Sequence, residues 1–485
     1  MTPGPVALGP EALPLARDAV LEGRDGRHVV RYRLAVPYFG WLWAPLLRRR
    51  AREIEAAADA GEPLPTGQPW WAPPAPLDAS AAGAVGAICL LSLVWSYAGG
   101  TGGLLTATLP YAADVYDVGD RDLGIGLAIV RAGVLAALPL ALLVDRRGRR
   151  RFVVGATLAH CVLAALIGLA PTFEAYVSAH LLLRCLDTAL AVGLAVLLVE
   201  TVPAGSRGMA LSGVLLAAGA GSAIGVLVLP LADAGRGGFA GAYALQLAAV
   251  PFVLDAGRRL GESRRYLTHA REPHHYRELI AGRYRGRMAA LGAAIFAGAV
   301  FTAPAVEFFN RYLDDVRDFS SLELVLFLVL TGLPSAPMVL VGGRLADVLG
   351  RKRVGVPLLA LSGTCLAAFY LVPEPWIWPL ALVGQMAGAG GGAALAPYAA
   401  ELFPTRVRSA AGTLTRAIAV AGGAAGLVTA GVLSDSLGLG PSVAALVACP
   451  VLALAIVVLR FPETSRRELE ETSGEAAIRA PAPPG

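Results

Sequence analysis

Charge is what this chain has least of. Only 16% of its 485 residues are charged, while 56% are hydrophobic and the mean hydropathy is +0.61. An ordinary soluble domain carries about 25% charged residues, so these charges are too few to clothe a water-facing body of 49.9 kDa. A soluble multidomain enzyme is excluded on that ground, and the length excludes a small secreted module. Lysine is nearly absent: Lys352 is the only one, so the net charge of +5 is carried by arginine. Cysteine is scarce as well. Cys89, Cys161, Cys185, Cys365 and Cys449 sit singly in apolar stretches, which implies neither a disulfide framework nor a metal site. No charged segment precedes a short apolar core at the N-terminus, so no cleaved signal peptide is expected.

Apolar length is what the chain has in abundance. A bilayer core of ~30 Å takes ~20 apolar residues as a helix. Runs of that size fall at 82–109, 123–144, 152–171, 174–202, 208–231 and 238–256, then at 288–312, 321–345, 353–372, 376–402, 409–434 and 441–460. The expectation is an all-α membrane protein of twelve transmembrane helices. The loops orient it. Arginine gathers in DRRGRRR (145–151), between Arg258 and Arg287, in GRKR (350–353) and at Arg406 and Arg408. The alternate loops carry Asp114, Asp117, Asp120 and Asp122, then Asp314, Asp315 and Asp318. Every basic loop falls on one side, which makes both termini cytoplasmic.

The two halves of the sequence repeat. ALLVDRRGRRR (141–151) recurs as GRLADVLGRKR (343–353), and ETVPAGSRG (200–208) recurs as ELFPTRVRS (401–409). Asp145 matches Asp347, and Glu200, Pro203 and Arg207 match Glu401, Pro404 and Arg408, at spacings of 202 and 201. The organisation expected is a cytoplasmic arm (1–79), a six-helix bundle (80–256), a basic linker (257–287), a second six-helix bundle (288–460) and a tail (461–485). Two parallel halves about an axis along the membrane normal are a transporter architecture with its site near mid-bilayer.

These residues carry a family resemblance. D-R-x-G-R-R after the second span, repeated after the eighth, resembles the signature loop of the major facilitator superfamily. E-x-x-P-x-x-x-R after spans four and ten resembles that superfamily's sugar-porter, organic-ion and metabolite–proton symporter branch. GESRRYL (261–267) and PETSRRELEE (462–471) resemble two further elements of that branch. The chain departs from the pattern at Ala141 and Gly261, and span seven lacks the paired glutamines of hexose carriers. The resemblance implies a cytoplasmic latch formed by Asp145, Arg146, Gly148, Arg149, Glu200 and Arg207, with Gly343, Asp347, Gly350, Arg351, Glu401 and Arg408 as second copies. Glu262 and Glu463 join it by resemblance. Physically, a carboxylate at such a helix end accepts charge-assisted hydrogen bonds from Arg149 or Arg207, and from Arg351 or Arg408 in the second half. It also favours the positive end of a following helix. Topogenic arginine with ordinary helix capping is the bland alternative.

Ionisable groups at mid-membrane cost ~2.5–3.5 kcal/mol on insertion scales and mark pathways or pairs. His180, Arg184 and Asp187 share one stripe of span four at i, i+4 and i+7. Asp187 lies 13 residues before Glu200 and Arg131 lies 14 before Asp145, so both stand ~20 Å from the cytoplasmic end. Two readings are open: a proton acceptor tuned by Arg131 and Arg184, or a permanent buried ion pair that fixes packing. Gln385, the repeat counterpart of Arg184, is a candidate solute ligand. Glu307 and Arg311 form an i, i+4 pair near the outer end of span seven that reads as surface anchoring, with Glu307 and Asn310 lining an outer vestibule as the alternative. Arg416 lies near enough to the cytoplasm to snorkel. In the arm, LAVPYFGWLWAPLL (34–47) before Arg48, Arg49 and Arg50 is too short to span and suggests docking on anionic lipid; a loosely ordered tail is the alternative.

The expected function is alternating-access transport of a small polar organic solute, coupled to a proton, by a monomer in the cell membrane. No cofactor, metal or nucleic acid is implied. A proton-antiport drug exporter of the same fold and a non-transporting sensor are the alternatives, and no enzyme chemistry is visible.

Overall fold

The computed structural model describes residues 5–24, 27–65, 67–99, 148–228, 235–262, 284–309, 312–319, 321–404 and 407–467, with scattered positions in 104–140, at 231, 277–280, 282 and 469. The expected span at 123–144, including Arg131, lies almost wholly outside them. So do Asp145, Arg146, Asn310 and Arg311, most of the linker, and the tail beyond 469.

The arm is folded, unlike the loosely ordered tail of the alternative reading. Strands β1 (Val6–Ala7), β2 (Ala16–Arg24) and β3 (Arg27–Leu34) form an antiparallel sheet in that order. Ala19, Leu21 and Val30 are buried between exposed arginines, the alternation of a half-buried strand. Helix α1 (Gly40–Asp59) packs Leu47, Ala51 and Ile54 into the same cluster. Its carboxylates also cover the open edge of β3: Asp59 accepts from the His28 amide at 2.7 Å and Glu55 from the Val30 amide at 2.8 Å. The short, arginine-interrupted alternation over 16–34 is what the hydropathy reading passed over.

The bundle begins with α2 (Ala79–Gly99). After it come α3 (Arg149–Gly168), α4 (Phe173–Thr201) and α5 (Arg207–Leu227). Helix α6 (Gly235–Ala244) continues through a tight turn into α7 (Val250–Arg259). The second half contains α8 (Arg285–Glu307), α9 (Ser321–Gly332), α10 (Ser335–Leu349) and α11 (Arg351–Phe369). It ends with α12 (Ile377–Leu395), α13 (Tyr398–Glu401), α14 (Arg408–Leu437), α15 (Leu439–Ala445) and α16 (Ala448–Arg460). Ten segments among the described residues are long and apolar enough to cross a membrane. The breaks have local causes. Pro334 and Pro397 stand between α9 and α10 and between α12 and α13, where proline removes an amide donor. Thr172 caps α4 by accepting the Ala175 amide at 3.3 Å.

The sequence repeat reappears as packing. Helix α2 lies on α5 as α8 lies on α14, and α3 on α4 as α11 on α12. Gly221 and Gly225 of α5 sit against the carbonyls of Leu93 and Tyr97, and Gly422 and Gly426 of α14 sit against those of Phe296 and Val300. These are small-x-x-x-small contacts that let helix backbones approach closely where no hydrophobic drive separates protein from lipid. A side chain at either site has nowhere to go. Gly221→Leu and Gly426→Leu should each lower the detergent-solubilised unfolding midpoint, by an overpacking cost of about 1–3 kcal/mol. Gly219→Leu, at a position with no neighbour within 4 Å, should leave it unchanged.

Candidate functional site

The latch residues converge at one face of the bundle. Gly148 and Gly350 precede α3 and α11 with φ of 98° and 114°, a region that favours glycine, and so release each helix start for capping from outside. Glu262 supplies one cap, accepting the amides of Arg149 at 2.9 Å and Arg150 at 3.1 Å. Glu463 supplies the matching one, accepting those of Arg351 at 2.9 Å and Lys352 at 3.1 Å. Asp347 reaches across instead. Its two oxygens accept the amides of Gly208 at 2.9 Å and Met209 at 2.8 Å, so a carboxylate of the second half caps α5 of the first. At that crossing a Cβ on Gly208 would stand 2.6 Å from the Gly343 carbonyl, so α5 and α10 are in backbone contact.

The ion pairs cross as well. Sequence reasoning allowed Glu200 the arginines of its own half. The structure holds it between Arg149, at 3.4 Å, and Arg408 of the second half, at 2.5 Å. Glu401 is held by Arg351 at 2.7 Å and approached by Arg207 of the first half at 3.9 Å. Arg149, Arg207, Arg351 and Arg408 expose 1% of their surface or less. The crossing has a steric cause: Arg207 Nε bonds back to Val199 O at 3.1 Å and Arg408 Nε to Ala400 O at 2.7 Å. Each guanidinium is thereby turned outward from its own loop toward the facing half.

Truncating one partner of a buried pair costs about 3–5 kcal/mol. Glu200→Gln should therefore unseal this face. A cysteine at the fully buried Ser212, in an otherwise cysteine-free chain, should react several-fold faster with a membrane-impermeant maleimide once Glu200 is replaced. Glu463 gives a pH dependence. Partial burial raises its carboxyl, but four amides, from Ser465, Arg351, Lys352 and Thr464, outweigh that and hold it below the usual range. A depressed folded pKa means stability that is present at neutral pH and lost as pH falls through that pKa. Glu463→Gln should lower the unfolding midpoint at pH 7 by an amount on the order of 1 kcal/mol after solvent screening. The difference from the native chain should close on acidification.

Behind the latch lies a cavity of about 240 Å³ between the halves. Ser92 and Trp95 of α2, Leu211 of α5, and Thr415 and Arg416 of α14 are among its walls. The Ser92 hydroxyl and Trp95 indole N–H are buried with no partner among the described residues. Arg416 stands eight residues into α14, ~12 Å from its start, and its exposed surface faces this space rather than the membrane edge. It is within electrostatic range of Arg184 and Asp187. The snorkelling expected of Arg416 is thus replaced by a place in the cavity wall.

Asp187 is buried, and its ion-pair partner among the described residues is His160 of α3, Nε2 to Oδ1 at 2.8 Å, rather than Arg184. The approach has the distance of an ion pair without the alignment of a hydrogen bond. Arg184 instead donates to the Gly99 carbonyl at 3.3 Å, and the Asp187 carboxylate packs directly on Gly99. The other ring nitrogen of His160 lies 3.4 Å from Gln246 Nε2, which donates to the Val94 carbonyl at 2.6 Å. Sequence reading missed His160 and Gln246, although His160 lies 11 residues above Arg149, a depth of ~16 Å that nearly matches Asp187.

The remaining candidates lie apart. His180 is enclosed by aromatic rings, its Nε2 3.1 Å from the Tyr243 hydroxyl. Gln385 donates to Thr331 at 3.0 Å and does not line the cavity between the halves, and Glu307 is exposed at the end of α8.

Residues 288–484 match the family profile described as Major Facilitator Superfamily. The chain is 27% identical over 387 residues to a "Probable 4-methylmuconolactone transporter" of Cupriavidus pinatubonensis (strain JMP 134 / LMG 1197), covering 74% of this chain and 88% of that one. Its fold is that of the proton:xylose symporter XylE bound to 6-bromo-6-deoxy-D-glucose, with a TM-score of 0.64 at 17% identity over 81% of this chain and 98% of the other. FucP in the outward conformation superposes with a TM-score of 0.66 at 13% identity, over 79% and 100% of the two chains. The human organic anion transporter MFSD10 (TETRAN) gives 0.61 at 16%, over 77% and 98%. With a duplicated bundle and a crossed arginine–carboxylate latch, the chain has the fold of these multi-pass membrane transporters, and its second half, residues 288–484, matches the Major Facilitator Superfamily.

Proposed function

We propose that the chain carries a small anionic or polar organic solute by alternating access, coupled to a proton. The latch face is the cytoplasmic one, both termini lie on that side of the cell membrane, and one chain suffices. The observation that supports this reading is the meeting of His160, Asp187, Arg184 and Arg416 beside a cavity between the halves. Asp187 shares its field between a histidine and two guanidiniums, one of them on the facing half. A carboxylate on the solute brings Arg416 a counter-ion of its own, so solute and proton act on one shared set of charges. Solute binding and proton uptake then support each other, as linkage requires.

The cavity also bears on substrate size. At about 240 Å³ it falls below the ~300–1,000 Å³ of drug-sized pockets, which favours a metabolite over a bulky amphipathic drug. The lactone named for the bacterial relative is of suitable size. Asp187→Asn in proteoliposomes should abolish solute-driven pH change while binding of 4-methylmuconolactone or another small carboxylate persists. Unchanged coupling would reduce the His160–Asp187 pair to a packing element. Arg416→Gln should weaken binding of carboxylates tenfold or more, equivalent to about 1.4 kcal/mol, and leave neutral solutes unaffected.

A further inference from the structure

The arm presents a surface that solute transport does not use. On α1, Trp41, Pro45, Arg48, Arg49 and Arg52 are all exposed, and at 3.6 residues per turn they fall within about 100° of arc. Leu47, Ala51 and Ile54 occupy the opposite side, against the sheet. Residues 1–79 contain nine arginines and nine acidic residues, so the arm is neutral overall and the positive stripe is a matter of placement. Two acids of the helix lie beside it: Glu53, which pairs with Arg49 at 3.4 Å and Arg50 at 3.3 Å, and Glu55, which is occupied by the Val30 amide at 2.8 Å. The stripe ends in exposed apolar groups: Trp41 is 69% and Leu42 51% accessible, and Trp70 nearby in sequence to the arm's end is 76% accessible.

Leu42 also lines a separate apolar cavity of about 280 Å³, together with Trp43, Val85 and Cys89 of α2, Leu216 of α5 and Leu340 of α10. Leu216 is nine residues into α5, so the space runs ~14 Å down from the latch face into the bilayer depth. One turn beyond Leu340, on the same face of α10, Arg344 donates one Nη to the Pro69 carbonyl at 3.2 Å. Its other Nη is buried with no partner among the described residues.

We propose that this junction holds an anionic phospholipid of the leaflet at the latch face. The acyl chain lies in the cavity, the phosphate meets Arg344 and the stripe of Arg48, Arg49 and Arg52, and Trp41 and Trp70 sit at headgroup level. Charge complementarity selects the anionic headgroup, and tryptophan beside arginine on an amphipathic helix is the composition of an interfacial anchor. The lipid touches the arm, α2, α5 and α10, and so bridges the two halves at their seam.

The test uses the full chain in nanodiscs of phosphatidylcholine with one quarter phosphatidylglycerol, brominated in the acyl chains of one lipid or the other. Tryptophan quenching should be several-fold greater, mole for mole, when phosphatidylglycerol carries the bromine. Arg48→Gln/Arg49→Gln/Arg52→Gln, all at exposed positions, should bring that preference close to one. A Leu340→Trp reporter should gain further quenching from brominated phosphatidylglycerol. Equal quenching by the two lipids in the native chain overturns the proposal, as does a preference untouched by the triple variant. Inorganic phosphate that abolishes the preference at millimolar concentration would assign the cations to a free anion and overturn it too.

Discussion

Four arginine side chains with almost no exposed surface set the terms for everything else in this molecule. A guanidinium cannot shed its proton, so burial is tolerated only where carboxylates and carbonyls surround it. Glu200, Glu401 and Asp347 meet that demand, and they do so across the seam: Arg408 reaches Glu200, Arg207 approaches Glu401, and Asp347 caps α5. Neither half can satisfy its own charges alone. The halves are therefore docked at this face by electrostatic necessity, and Gly208 and Gly343 allow the backbones close enough for the pairs to form.

Docking at one face decides where the working polar groups lie. Because α4, α5 and α14 converge at the latch, the cavity opens behind it between the same helices. Arg416 projects there two turns above Arg408 on one helix, and Asp187 stands on the helix that ends in Glu200. Each half thus carries a latch residue and a mid-membrane charge on the same rigid rod. Any rotation that separates Arg408 from Glu200 also changes the spacing of Arg416 from Asp187. The latch and the cavity wall are mechanically linked with no further device.

How much of this was readable in advance follows from what sequence periodicity reports. The latch was legible because its residues recur at a spacing of about 201, and recurrence marks Glu200 with Glu401 and Arg207 with Arg408 before any fold is known. Which carboxylate each arginine meets was not, since spacing within a half says nothing about which face a loop turns toward the other half. Asp187 was legible as a charge in an apolar helix. His160 was not singled out, because a lone histidine among alanines and leucines looks like an ordinary core residue until α3 is laid against α4. Gln246 needed the interruption between α6 and α7 to bring it there. The sheet of the arm escaped because the exposed positions of its two main strands are mostly arginine, which suggests a solvated tail as readily as a strand.

A latch of buried charge would be a poor moving part if opening it cost what mutation costs. The two operations differ. Truncating Glu200 leaves Arg149 and Arg408 desolvated with a carboxylate missing, and the loss is the full penalty of an uncompensated buried charge. Parting the halves lets water in, so the Coulomb attraction given up is largely offset by hydration regained on both partners. The net difference between closed and open can then fall to the few kcal/mol that a differentially bound ligand can tip. Breadth of the network serves the same end: Glu262 and Glu463 keep their amide donors within their own halves, so only the crossing contacts must part. In the proposed cycle the helix starts would stay capped while the seam opens, which would confine the change to rigid-body motion about the cavity.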